Sequence, residues 1–134
     1  MKLDSIDLRI LEALRLRKLE QAGIIAGYHA RLAPRRVAAF ATVLVEVTLA
    51  SHRQADFDRF ERAVAGIEDI LACWAVGGGV DYILKLVARD IDAYQRLIDR
   101  MLAAEIGIDR YFTYIVTRTV KEDAPLPLAL FAGG

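Results

Sequence analysis

Apolar positions along this chain switch between two rhythms, and the switches lay out its elements. Leu3, Ile6, Ile10, Leu11 and Leu14 recur at the three-to-four-residue spacing of a helix. Asp4 or Ser5 is placed to cap it, and Asp7 lies in its first turn, where a carboxylate favours the helix dipole. Leu16 and Leu19 fall on roughly the opposite side of the same wheel, and Arg17 stands where the first stripe would continue. A single helix from Asp4 to Ala22 therefore has no one face to bury, and a seam lies between Arg15 and Leu16. Gly23 is placed to end the helix. Ile24 to Leu32 alternates loosely and predicts a strand, followed by a hinge at Pro34-Arg35-Arg36.

Beyond the hinge the signal strengthens. Phe40 to Leu49 is a β-branched strand, and residues 54–65 place Phe57, Phe60, Ala63 and Val64 on one helical stripe. Ile70 to Val76 predicts a strand, Gly77-Gly78-Gly79 a turn, and Asp81 to Ala88 a further strand. Asp90 caps a helix with apolar positions Ile91, Tyr94, Leu97, Ile98, Met101 and Leu102, and Ile108 to Val120 closes as a long strand. The tail after Lys121, with Pro125 and Pro127, runs over the surface.

The order strand–helix–strand–strand–helix–strand is a duplicated βαβ unit of ferredoxin-like kind: an α+β fold, an antiparallel sheet with two helices on one face. The last strand is apolar or aromatic on both sides, with Tyr111 and Ile115 opposite Phe112, Tyr114 and Val116. The first strand behaves likewise, with Val43, Val45 and Val47 opposite Phe40 and Leu44. A second face this apolar calls for a partner sheet, most simply in a two-fold dimer.

Hydrophobic residues make up 55% of the 134, which excludes a disordered chain. The net charge of zero is uneven. Residues 1–36 carry eight basic and four acidic groups, and the remainder is acidic by the same margin. That split suits a basic element for a polyanion joined to an acidic domain, or simply a solvated basic helix. No apolar run has the length of a membrane span, Met1 to Asp4 lacks a signal-peptide core, and a lone Cys73 fits a reducing compartment. A cytoplasmic protein without a membrane partner is the expectation.

Catalytic machinery is thin. His29 and His52 have no His, Cys or carboxylate at metal-ligand spacing and read as surface histidines. Cys73 reads as a small hydrophobe, and Glu68-Asp69 sits at a solvated turn. No nucleophile–base pair and no phosphate-binding loop are found, so no enzyme, no catalytic residue, no metal and no cofactor are expected. The unusual feature is Val76-Gly77-Gly78-Gly79-Val80-Asp81-Tyr82. Three glycines exceed what a hairpin needs. Either they form a wide loop, or they let a ligand or partner backbone approach, with free N–H groups for a carboxylate, Asp81 for an ammonium and Tyr82 as a wall.

Several segments together resemble the Lrp/AsnC family, the leucine-responsive and asparagine-responsive type of bacterial and archaeal transcription regulators. Leu3-Asp4-x-x-Asp7-x-x-Ile10-Leu11-x-x-Leu14 is similar to the family's first helix, and Leu16 to Tyr28 resembles the end of its recognition helix and the following strand. Cys73 to Tyr82 is similar to its glycine-containing turn ahead of Asp-Tyr. Ile106-Gly107-Ile108, Thr113 to Val116 and Val120-Lys121 are similar to its closing strand. The resemblance implies a helix-turn-helix, a linker strand, and a ligand-sensing domain that pairs into dimers and then octamers or other rings. It implies amino acids or related small molecules bound between dimers near the glycine turn. Carried over by position, the ligand site is Gly77, Gly79, Asp81 and Tyr82, with Thr113 reaching a neighbouring dimer's site.

On that reading residues 1–23 are a partial helix-turn-helix, 24–36 the linker strand and hinge, 37–122 the sensing and oligomerisation domain, and 123–134 a tail. Some 25 residues that the resemblance calls for between Arg15 and Leu16 are absent, which accounts for the jump in phase. Either the protein lacks the segment, or the two sides of the seam are joined across a stretch this sequence does not contain. Arg15, Arg17 and Lys18 remain as DNA-phosphate contacts, which position a protein without reading sequence. The function expected is an amino-acid-responsive, DNA-binding regulator. The alternatives are a stand-alone sensor acting through partner proteins and, less favoured, a small dimeric enzyme on the same fold.

Overall fold

The computed structural model describes residues 5–33 and 39–131, so Asp4 as a cap and the Pro34–Arg36 hinge lie outside the described residues. The chain divides into two compact units, Met1–Val37 and Ala38–Gly134.

In the first unit one helix, α1 (Ser5–Gln21), runs unbroken through the Arg15–Leu16 seam. The remnants of two helices expected there form one. Both apolar stripes are consequently on show: Ile10, Leu14, Leu16 and Leu19 are all exposed. The helix ends as the glycine predicts. Gly23 takes a positive φ of 75°, its N–H donates to the Glu20 carbonyl, and the Ile24 N–H reaches back to Leu19 at 2.9 Å. The strand predicted over Ile24–Leu32 does not form. Its backbone groups have no neighbouring strand among the described residues, and extended chain without a ladder partner stays irregular.

The second unit has the predicted ferredoxin-like order. Strand β1 (Ala41–Leu49) is followed by α2 (Gln54–Ala65), β2 (Ile70–Ala75), β3 (Tyr82–Ala88), α3 (Ile91–Ala103) and β4 (Ile108–Ile115). The sheet order is β2-β3-β1-β4, antiparallel throughout. Asp90 caps α3 by accepting the Ala93 N–H at 2.8 Å. Period-two alternation decides which side chains point inward. Val43, Val45, Val47 and Leu49 of β1 and Leu84 and Leu86 of β3 are fully buried beneath Phe60 of α2 and Leu97 and Ile98 of α3.

Strand β4 stops at Ile115 rather than continuing to Val120. Ile115 pairs with Val43, the Val116 N–H makes a last bond to the Thr42 carbonyl, and residues 117–120 leave the sheet with Ala41 still unpaired on that side. Chain entry at Ala41 and exit after Ile115 thus share one end of the sheet, while the β2–β3 glycine turn, the β1–α2 turn and the start of β4 share the other. Residues 117–130 are exposed, with a single 3-10 turn at Leu128–Phe131.

The sheet face away from the helices carries a cross-strand row, Trp74–Ile83–Glu46–Phe112, and beside it Leu44–Tyr114. Trp74, Phe112 and Tyr114 are each half exposed. Among the described residues no helix is long and apolar enough to cross a membrane.

Candidate functional site

The glycine turn spans Val76 to Asp81 and is closed by the Val76 N–H donating to the Asp81 carbonyl at 3.0 Å. Only Gly78 needs to be glycine for its backbone, with φ at 129°. Gly77 and Gly79 adopt no such conformation, and a side-chain carbon added to either would meet nothing within 4 Å. The fold does not require these two glycines. Among the described residues the N–H groups of Gly77, Gly78, Gly79 and Val80 find no acceptor, and all three glycines are exposed. A loop of this kind offers donors to an anion and room for close approach.

Asp81 closes the turn and is tied to the central strand. Its N–H donates to the Val47 carbonyl, and its Oδ2 accepts from the Leu49 N–H at 2.8 Å and lies 2.9 Å from Nε2 of His52. The Leu49 amide, aided by the His52 imidazole, holds the carboxyl below the usual carboxylate range. Its Oδ1 takes no protein partner among the described residues.

His52 is presented by a short, stiff connection. Asp56, buried at the start of α2, accepts the Arg53 N–H at 3.1 Å, while the Arg53 carbonyl accepts the Asp56 N–H. The Ser51 hydroxyl and Arg53 keep the Asp56 carboxyl low. The His52 ring leans on Phe57 with centroids 5.8 Å apart. By sequence alone His52 reads as an ordinary surface histidine. The missing signal was long-range, because nothing in residues 49–53 announces that a carboxylate 29 positions later lies beside them.

Tyr82 sits apart from the open side of the turn. Its ring is buried on Phe60, centroids 4.5 Å apart, and its hydroxyl donates to Oε2 of Glu61 at 2.6 Å. Burial, reinforced by Glu61, pushes its phenol well above the ordinary value. Tyr82, Glu61 and Cys73 line a shallow cleft of about 340 Å³ between α2 and β2. Burial pushes the Cys73 thiol up to about 11.

Thr113 is not brought to the turn. It lies on β4, at the opposite edge from β2 and three strand spacings away, about 14 Å, with its hydroxyl on that of Tyr94. Gly77, Gly79 and Asp81 are therefore together, with Tyr82 behind them and Thr113 elsewhere within one chain. In the other unit Arg15, Arg17 and Lys18 are exposed along α1 and do not share one face. Among the described residues no group of three or more His, Cys, Asp or Glu side chains is placed to hold a metal ion.

Residues 42–126 match the Lrp/AsnC ligand binding domain. The chain is 44% identical over 145 residues to the transcriptional regulatory protein DoeX of Halomonas elongata, covering 90% of this chain and 92% of that one. An alignment of 145 positions over 90% of 134 residues leaves about two dozen positions of that relative without a counterpart here. The leucine-responsive regulatory protein of Escherichia coli is 38% identical over 108 residues, 81% of this chain and 66% of that protein. Among solved structures, a transcriptional regulator from Neisseria meningitidis in complex with L-Met superposes with a TM-score of 0.80 at 27% identity, covering 95% of this chain and 79% of that one.

Proposed function

Because this chain belongs to the Lrp/AsnC family of transcriptional regulators, we propose that it is a DNA-binding regulator whose effector is an amino acid held at the glycine turn. The observation that carries the effector reading is the pair Gly77 and Gly79, glycines that this chain's own packing does not explain. Their free amides suit an α-carboxylate, and Oδ1 of Asp81 suits the ammonium. The relative solved with L-Met supports that ligand class. The apolar outer face of the sheet supports a two-fold dimer, and rings of dimers would let a second chain complete the site, with Thr113 contributing from a neighbour.

Effector binding acts by linkage: an amino acid that favours one assembly shifts the spacing of the DNA-binding units. Arg15, Arg17 and Lys18 supply phosphate contacts, so DNA binding by α1 alone is weak, sequence-independent and strongly salt-dependent. A cytoplasmic, non-enzymatic role belongs to this reading, and relatives that are transcriptional regulatory proteins support it.

A thermal-shift screen of the twenty amino acids, followed by an operator-binding assay with the one that stabilises most, tests the reading. A rise in melting temperature that Gly77→Ala removes supports it. No shift with any amino acid overturns it. Specific operator binding separates a regulator from a sensor that acts only through partner proteins.

A further inference from the structure

We propose that His52 is a positioning residue of the effector site, fixing Oδ2 of Asp81 so that Oδ1 meets the effector's ammonium, and that its protonation tunes effector affinity. The inference rests on the reading above, in which Asp81 receives that ammonium.

The geometry supports it at four points. Oδ2 is fully occupied, by the Leu49 amide at 2.8 Å and the His52 ring at 2.9 Å, which leaves Oδ1 as the free acceptor among the described residues. His52 itself is held, with its ring on Phe57 and its turn pinned by Asp56. Of the groups facing the imidazole, Asp81 from the hairpin carries the charge, while α2 contributes the uncharged ring of Phe57. His52 is also half exposed, so protons reach it freely.

The sign follows from the charges. A neutral imidazole leaves the pair at −1, which attracts an ammonium. An imidazolium cancels that charge, and ammonium binding weakens. Imidazole is the unperturbed side chain that changes charge between about pH 5 and 8. Asp81 remains ionised through that interval because its carboxyl is held low. The chain has two histidines, and the other, His29, lies in the N-terminal unit. Effector affinity is therefore expected to be about three- to tenfold tighter at pH 8 than at pH 5.5.

The test is calorimetric titration of the full chain with L-methionine and L-leucine, or with whichever of the twenty amino acids binds best, at pH 5.5 and 8. The variants are His52→Gln, His52→Ala, Asp81→Asn and, as control, His29→Gln. His52→Gln keeps a donor to Asp81 and cannot titrate, so it should retain the wild-type affinity of pH 8 and lose the pH slope. His52→Ala should bind more weakly at both values, and His29→Gln should behave as wild type. A slope that survives in His52→Gln, or a wild type without one, overturns the assignment. Binding by Asp81→Asn with the wild-type slope overturns it as well, by removing Asp81 from the route. If the wild type binds none of the twenty, the effector reading itself falls, and this assignment falls with it.

Discussion

The Leu49 amide donates to Oδ2 of Asp81 at 2.8 Å, across 32 residues of sequence. The next amide, Ala50, donates to the Gly107 carbonyl at 2.9 Å on the other side of the sheet. Two consecutive amides at the irregular end of β1 thus clasp the glycine turn and the start of β4. Asp81 has a structural task alongside its proposed ligand task, and the two are separable by substitution. Asp81→Ala leaves a part-buried N–H without an acceptor and should cost about 1–2 kcal/mol. Asp81→Asn keeps an acceptor and should cost less. Melting temperatures of the two variants check this, and an Ala variant as stable as wild type would refute it.

The pH dependence of the same group has a definite sign. The Leu49 amide and then His52 lower the folded carboxyl below its unfolded value of about 3.9. Its contribution is fully present above that value and is lost as pH falls through the folded value. Acid melts of Asp81→Asn should therefore be flatter than wild type below about pH 4.

Gly77→Ala and Gly79→Ala should leave the chain as stable as wild type, within about 0.5 kcal/mol, since nothing lies where the new carbon would go. Gly78→Ala, at φ 129°, should lose about 1 kcal/mol or more. Effector-induced thermal shifts should vanish in the first two variants. Retained shifts would mean that nothing approaches those glycines.

Tyr82→Phe should lower stability by about 1 kcal/mol through the lost bond to Glu61, while leaving the ring packing on Phe60 intact. The raised phenol contributes stability that is present below its ordinary value of about 10 and is lost as pH rises through the folded value. Alkaline unfolding should then begin at lower pH in wild type, relative to its neutral stability, than in Tyr82→Phe.

Phe112→Glu places a carboxylate opposite Glu46 in the outward row. Sedimentation is expected to give a dimer for wild type and a monomer for this variant; a variant as dimeric as wild type would place the interface elsewhere.

Most of the sensing unit was legible in the sequence because its elements carry clean periods. Val43-x-Val45-x-Val47 has one buried face, and Tyr94, Leu97, Ile98 and Met101 form one helical stripe. The end of β4 was not legible, because Val116 to Val120 has the residues of a strand, yet the chain leaves its partner β1 after the Val116–Thr42 bond. The Ile24–Leu32 segment fails for the same reason: β propensity describes a residue's fit to a sheet and supplies no partner. In the site, the glycines stood out by composition, whereas His52 and the inward turn of Tyr82 depend on register. Tyr82 pairs with Val47, whose side chain is buried under the helices, and directly paired residues share one face of the sheet.

The register gives the sensing unit two poles. Gly77, Gly79 and Asp81 gather where β1 ends, and the chain enters β1 at its other end, nine residues away. That is about 30 Å of central strand, flanked by β3 and β4 along most of its length and stiff for that reason. News of a bound amino acid has little prospect of travelling down such a strut. It has a shorter route sideways, through whichever neighbouring chain completes the site at the glycine pole, so binding the effector and sensing a neighbour should be one event.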